Sequence, residues 1–160
     1  MKLNIGCGNK KYEGYINVDI NPRCKPDKIV DMERRLPFKS NTFDEVIAEH
    51  IIEHISDTEK IMREIWRVCK NNAIVKITVP HYKTEAAFAD PTHKKFFAEG
   101  TFEYFTKNRG TSYYFDFEYE IVSMKIERRG ALRKFIHLIK LDKVLWNVNG
   151  DIQAVLKVIK

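Results

Sequence analysis

The chain has 160 residues, of which 44% are hydrophobic and 31% are charged, and its formal net charge is +6. This composition is ordinary for a soluble globular protein, and the length suits one domain over residues 1–160 with a core of its own. No apolar run approaches the roughly 20 residues that a membrane span needs, and the chain starts without the apolar region of a signal peptide, so we expect a cytoplasmic protein.

Five short apolar runs in the first half of the chain predict strands. Their β-branched residues and their hydrophobicity on both faces are typical of a sheet that is covered on both sides. The runs are Leu3–Ile5, Tyr15–Val18, Lys28–Val30, Phe43–Ala48 and Ala73–Val79.

One helix is clear between the fourth and fifth runs. Ser56 to Glu59 fits a capping box with Ser56 as the N-cap, and apolar residues then recur at helical spacing up to Val68. Asn71 and Asn72 predict a left-handed C-cap. A strand, a helix and a strand of these lengths indicate a parallel crossover.

The second half of the chain predicts fewer elements. We expect a short helix over Thr101–Thr106, a sixth strand over Glu118–Glu127, a helix over Ala131–Trp146 and a last strand over Ile152–Ile159. The apolar stripe of the 131–146 helix suits the core or a subunit interface better than a membrane surface. This segment is therefore our candidate for an oligomer contact.

Glycines and acids follow the predicted strands. Gly6 and Gly8 follow the first strand, while Asp19, Asp31 and Glu49 follow the second, third and fourth. Glycines let the backbone approach a ligand closely, and carboxylates at strand ends accept hydrogen bonds from ribose hydroxyls. In open α/β sheets, ligands bind beyond the carboxyl ends of the strands, so these residues predict one site.

In these residues the sequence resembles the class I S-adenosylmethionine-dependent methyltransferases, especially the small type 11 group. The resemblance is close from residue 3 to about residue 105 and thin afterwards. It rests on motifs in the family's order and at compatible spacing: Leu3–Gly8, Tyr15–Asp19, Asp31-Met32, Leu36–Phe38 with Phe43–Val46, Arg67–Asn72 and Asp90–Phe97.

The resemblance implies a Rossmann-like methyltransferase fold with a seven-stranded, mostly parallel sheet and an antiparallel last strand. It also implies S-adenosylmethionine as the cofactor and S-adenosylhomocysteine as the product. By position, the ribose would bind Asp19 and the adenine amino group Asp31. The other implied cofactor contacts are Gly6, Cys7 and Gly8 for methionine, Ile20 and Met32 for adenine, Glu49 near the methionine end and the sulfonium, and His50.

One departure from the family concerns the first crossover. Only residues 9–14 separate Gly8 from Tyr15, whereas a parallel crossover normally needs ~10–12 residues. The usual first helix is therefore shortened or missing. This leaves a second hypothesis, a non-catalytic Rossmann-like binding module with weakened or lost cofactor binding.

Two other kinds of site are weighed and not favoured. A dinucleotide fingerprint lacks its third glycine, and its acid comes too early. His50, Glu53 and His54 match the H-x-x-E-H pattern of zinc hydrolases, but the run follows a strand that fits the methyltransferase pattern. The three cysteines are scattered and form no CxxC pair. We predict no metal.

The methyl acceptor is not identified by the sequence. The candidate bases are His50, His81, Asp90 and His93. We predict His81 and His93, because histidine titrates near neutral pH, His81 directly follows the fifth strand, and His50 is assigned to the cofactor. The basic stretch from Lys125 to Lys143 permits a nucleic-acid acceptor. We do not favour that acceptor, because the Asn/Asp-Pro-Pro-Tyr motif of amino methyltransferases is missing after the fourth strand.

Overall fold

The computed structural model describes residues 1–107, 110, 112–127, 138, 145–147 and 149–160. Among these residues, seven strands form one sheet. The strands are β1 (Lys2–Ile5), β2 (Tyr15–Asp19), β3 (Lys28–Ile29), β4 (Phe43–Glu49), β5 (Cys69–Pro80), β6 (Glu118–Ile126) and β7 (Asp151–Ile159).

The strands run in the order β3-β2-β1-β4-β5-β7-β6. Neighbours from β3 to β5 are parallel, whereas β7 is antiparallel to both β5 and β6. The predicted fold class, a mostly parallel seven-stranded sheet with an antiparallel last strand, is therefore confirmed.

The register brings the carboxyl ends of the central strands together. Ile5 pairs with Val18 on one side and with Ala48 on the other. All three side chains are fully buried. The segments that follow β1, β2 and β4 consequently leave the sheet side by side, at the carboxyl ends of these strands.

Helices are few in the described part of the chain. The longer one is α1 (Thr58–Val68), which connects β4 to β5, and the other is α2 (Ala86–Ala89). Shorter 3-10 turns occur at Pro22–Cys24, Ile52–His54, Glu99–Phe105 and Ser112–Tyr114. No helix lies between β1 and β2, as the short connection predicts.

Helix α1 packs on the sheet through its predicted apolar stripe, with Ile61, Met62, Ile65 and Val68 buried. Its predicted ends were wrong. The N-cap is Asp57, whose carboxylate accepts from Lys60 N, while Ser56 N donates to Glu33 Oε1 at 2.9 Å. Strand β5 follows the helix at once, so the left-handed Asn72 (φ 63°) lies within the strand instead of capping the helix.

The second half of the chain matches its predictions in part. The short helix predicted over Thr101–Thr106 is a 3-10 segment, Glu99–Phe105. The helix predicted over Ala131–Trp146 lies outside the described residues except at three positions, and its role in oligomerisation stays a prediction. Within the described residues, no helix has the length and hydrophobicity that would let it cross a membrane.

Candidate functional site

The turn after β1 is built by its two glycines. Gly6 and Gly8 have φ angles of +64° and +48°, which side-chain-bearing residues rarely adopt. A Cβ on Gly6 would lie 2.4 Å from Ile51 Cγ1, whereas a Cβ on Gly8 would meet nothing within 4 Å. Gly6 is therefore needed for close packing, and the space beside Gly8 is open.

Asp19 fixes this turn to the end of β2. Its Oδ2 accepts from Gly8 N at 2.8 Å, and its Oδ1 accepts from Asn21 N at 2.8 Å. Each carboxylate oxygen has a second lone pair, so the side chain can still accept from a ligand hydroxyl. The next residue, Ile20, is 60% exposed beside it.

Asp19 lines a cavity of about 220 Å³, which we call the Asp19 cavity. Asp31 lies on its wall, with Oδ1 accepting from Glu33 N at 2.9 Å and Oδ2 lying 3.2 Å from Arg34 Nε. The wall is otherwise largely apolar. Its lining residues are Gly6, Asp19, Ile20, Asp31, Met32, Glu33, Ile51, His54, Ile55 and Lys94.

A second cavity, of about 520 Å³, lies on the other side of Gly6, and we call it the Glu49 cavity. Its wall is polar and charged. The lining residues are Asn4, Gly6, Cys7, Gly8, Asn9, Lys10, Glu49, His50, Thr78, Glu127, Asp151 and Gln153. Gly6 is thus common to both cavities.

Glu49 is held by two residues of the short first connection. Lys10 Nζ donates to Glu49 Oε2 at 2.6 Å, and Tyr12 Oη lies 3.0 Å from both carboxylate oxygens. The hydrogen bond to Glu49 raises the pKa of Lys10 to about 12. Lys10 therefore carries a positive charge at neutral pH.

His50 lies at the rim of the Glu49 cavity in a strained backbone conformation, with φ +50°. Its Nδ1 is 3.4 Å from Glu53 Oε1, and its Nε2 is 3.5 Å from Asp151 Oδ2. The interaction with Glu53 raises the pKa of His50. This side chain is half exposed and accessible to a ligand in the cavity.

The two histidines predicted as bases lie elsewhere. His81 is 2% exposed, with Nδ1 accepting from Lys83 N at 3.0 Å and Nε2 lying 3.2 Å from Glu99 Oε2. His93 packs edge-on against His54, their ring centroids 4.7 Å apart. Neither lines the two cavities, and a catalytic role for either stays a prediction.

The H-x-x-E-H run does not form the helix that a zinc site of this pattern would need. Ile52–His54 is a single 3-10 turn, and His50 precedes it with a left-handed backbone, so His50 and His54 do not share a helix face. His50 turns to the Glu49 cavity, while His54 lines the Asp19 cavity.

Several site residues were missed by the sequence prediction. Lys10 and Tyr12 lie in the segment that was noted only for its shortness, although a base and an aromatic beside a glycine turn were the available signal. Asp151 reaches the site from the start of β7, because an antiparallel strand begins at the edge where the parallel strands end.

Comparison with known proteins finds similarity to methyltransferases. Residues 3–77 match a family model described as a methyltransferase domain. A sterol 4-C-methyltransferase of Caenorhabditis elegans is 33% identical over 90 residues, which cover 48% of this chain and 25% of that enzyme. The chain thus spans about a quarter of the length of this relative.

Solved structures share the fold over nearly the whole chain. An S-adenosylmethionine-dependent methyltransferase from Archaeoglobus fulgidus matches with a TM-score of 0.70 and 22% identity, covering 98% of this chain and 85% of that one. A methyltransferase from Mesorhizobium loti gives 0.67 and 9% over 98% and 89%. The [4+2]-cyclase SpnF gives 0.65 and 15% over 99% and 74%.

Proposed function

We propose that this chain, whose residues 3–77 match a family model of a methyltransferase domain, is a class I S-adenosylmethionine-dependent methyltransferase that acts on an unidentified acceptor. The observation that carries the proposal is the pair of cavities that meet at Gly6. One cavity suits an adenosine and the other suits an amino acid, and these are the two parts of S-adenosylmethionine.

The Asp19 cavity has the chemistry for adenosine. Asp19 is held by backbone amides and retains lone pairs for the ribose hydroxyls, while Asp31 offers an acceptor for the adenine amino group. Ile20 and Met32 supply apolar surface for the flat base. Backbone amides hold both carboxylates in place, so we infer that this part of the site is preorganised.

The Glu49 cavity has the chemistry for a zwitterion. A methionine end carries an ammonium and a carboxylate, and Glu49 and Lys10 place one charge of each sign on the cavity wall. Binding exchanges the 2.6 Å Lys10–Glu49 contact for two contacts with the ligand, so the charges on both sides stay paired. The resemblance implies a cofactor contact for Glu49. The hydrogen bond between Lys10 and Glu49 supports a second contact from Lys10.

When bound, S-adenosylmethionine supplies a methyl group on a positively charged sulfonium, which an acceptor nucleophile displaces in line. The donor is already activated, so the residues of this chain contribute mainly by orientation, which can supply ~7–11 kcal/mol of the barrier. Any proton that the acceptor must lose needs a base. His50 lines the Glu49 cavity and is the candidate base there, whereas the sequence predicted His81 and His93.

Binding of S-adenosylhomocysteine tests the proposal most directly. We expect a stoichiometric complex by calorimetry with the purified chain, and Asp19→Ala to weaken it at least ~100-fold, because charged hydrogen bonds to both hydroxyls are lost. Asp44→Ala is the matched control, since Asp44 is the second residue of β4 and lies at the opposite end of that strand from Glu49. Equal affinity in wild type and Asp19→Ala would contradict the ribose assignment.

Catalysis needs its own measurement. Transfer of a labelled methyl group from S-adenosylmethionine into components of a cell extract, lost in Asp19→Ala, would establish the reaction and isolate the acceptor. Binding without any transfer would favour the non-catalytic module, and neither binding nor transfer would reject the proposed function.

A further inference from the structure

The connection after β4 and the loop after α2 meet beside the Asp19 cavity. Lys94 N and Lys95 N both donate to the backbone carbonyl of Glu53, at 2.8 and 3.1 Å. These bonds bring His93 against His54. We call Glu53, His54 and His93 the Glu53 cluster.

The Glu53 cluster has the geometry of a ligand set. One carboxylate oxygen of Glu53 and one ring nitrogen each of His54 and His93 lie within 4.8 Å of one another. A tetrahedral zinc ion, with bonds of about 2.0–2.2 Å, holds its ligand atoms about 3.4 Å apart. The distances between these ligand atoms would therefore shorten by at most about 1.4 Å to complete the site.

Glu53 is the observation that calls for a ligand. The residue is 1% exposed, and neither carboxylate oxygen has a hydrogen-bond partner among the described residues. The His50 ring, 3.4 Å from Oε1, lies beyond the usual N–H···O range of about 2.7–3.2 Å. A buried carboxylate without strong partners is unfavourable, and coordination of a cation would compensate it.

Hydrogen bonds fix the tautomer of His54. The Thr92 hydroxyl has one proton, which it donates to Asp90 Oδ1 at 2.6 Å. The same oxygen lies 2.9 Å from His54 Nδ1, so it must accept a proton from that nitrogen. In neutral His54, Nε2 consequently carries a free lone pair.

The tautomer of His93 is fixed in the same way. Its Nδ1 lies 2.9 Å from the carbonyl oxygen of Ala87, and a carbonyl can only accept. Its Nε2 is 3.9 Å from Asp90 Oδ2, beyond hydrogen-bond reach, and is left as an acceptor. Metal-binding histidines typically donate their other N–H to a carbonyl or a hydrogen-bonded acceptor in this manner.

From this arrangement we propose that Glu53, His54 and His93 bind a divalent transition-metal ion of the zinc type. Two imidazoles and one carboxylate suit such an ion, and three protein ligands leave a coordination position open. His54 and Lys94 line the Asp19 cavity, so the ion would hold the 90–96 loop beside that cavity. The inference is independent of methyl transfer, because its tests measure the metal itself.

Metal binding to the untagged full chain tests this inference. After chelator treatment and dialysis, we expect calorimetry and elemental analysis to give one Zn²⁺ per chain, and bound Co²⁺ to show the visible absorption of a tetrahedral site. Glu53→Gln and His93→Ala should each weaken binding by more than the ~10–100-fold that loss of an outer-shell partner costs. Glu49→Gln is the matched carboxylate control and should bind as wild type does.

Two comparisons keep the result decisive. His50→Ala should retain the ion, whereas loss in His50→Ala with retention in His93→Ala would overturn the proposed set in favour of the H-x-x-E-H run. Far-UV circular dichroism in the presence of chelator shows whether each variant folds. If His93→Ala does not fold, the nearly isosteric Glu53→Gln provides the test. A folded wild type that binds neither Zn²⁺ nor Co²⁺ would also overturn the inference.

Discussion

The two cavities beside Gly6 differ in how their acids are partnered. In the Asp19 cavity, Asp19 is held by the backbone amides of Gly8 and Asn21. In the Glu49 cavity, Glu49 is held by the side chains of Lys10 and Tyr12, which can rotate. Under the proposed function, the fold itself forms the adenosine part of the site, whereas the amino-acid part would exchange partners when a ligand binds.

Gly6 is the residue whose substitution should have the largest effect, because it lines both cavities. We expect Gly6→Ala to lower the free energy of unfolding by about 3 kcal/mol or more, since its Cβ would overlap Ile51 at a positive φ. Gly8→Ala should cost only ~1–2 kcal/mol, the strain of a left-handed alanine in open space. Urea denaturation measures both, and equal losses would contradict the packing argument.

Substitution of Lys10 should affect the binding of S-adenosylhomocysteine and of adenosine differently. We expect Lys10→Met to weaken S-adenosylhomocysteine about tenfold, the effect of one lost charge-assisted hydrogen bond. Adenosine alone should bind with unchanged affinity, because it reaches only the Asp19 cavity. Calorimetry with both ligands checks this, and a similar loss for adenosine would show that the cavities are not independent.

Substitution of Ile20 tests whether the Asp19 cavity binds adenine. The side chain is 60% exposed, and under the proposed function its surface would contact the adenine. Ile20→Ala should therefore reduce affinity for both adenosine and S-adenosylhomocysteine by roughly 3–5-fold, with unfolding free energy changed by less than ~0.5 kcal/mol. Thermal denaturation together with calorimetry distinguishes this from a folding defect, in which stability would fall as well.

Glu33 gives the smallest expected effect and involves pH. The hydrogen bond from Lys94, followed by that from Ser56 N, lowers the pKa of Glu33 to about 2, against about 4.3 in an unfolded chain. A depressed carboxyl pKa stabilises the fold above the unfolded value, and that contribution is lost as the pH falls through about 2.

Because Glu33 is 36% exposed, this contribution should stay below ~1 kcal/mol. Glu33→Gln should thus be slightly less stable than wild type at about pH 6, and the two should converge towards about pH 2. Urea denaturation across this range measures the difference, and a gap that widens on acidification would be the wrong sign.

The sequence predicted the strand-end acids well, because their positions follow from local patterns. Asp19, Asp31 and Glu49 each come directly after an apolar run, and parallel strands bring such positions to one edge whatever the loops do. The ends of α1 were predicted less well. Ser56 and Asp57 both suit an N-cap, and the choice depended on Glu33, a residue distant in sequence that holds Ser56 N.

The sequence by itself therefore determined the mostly parallel sheet, the glycine turn and the acids at its edge, since these depend on periodicity and turn chemistry over a few residues. The tertiary structure decided which side chains meet across long separations. In the structure Lys10 contacts Glu49, and His93 lies close to Glu53. His50 and His54 line different cavities. Such partners depend on how loops return to the sheet, and no local pattern in the chain encodes that path.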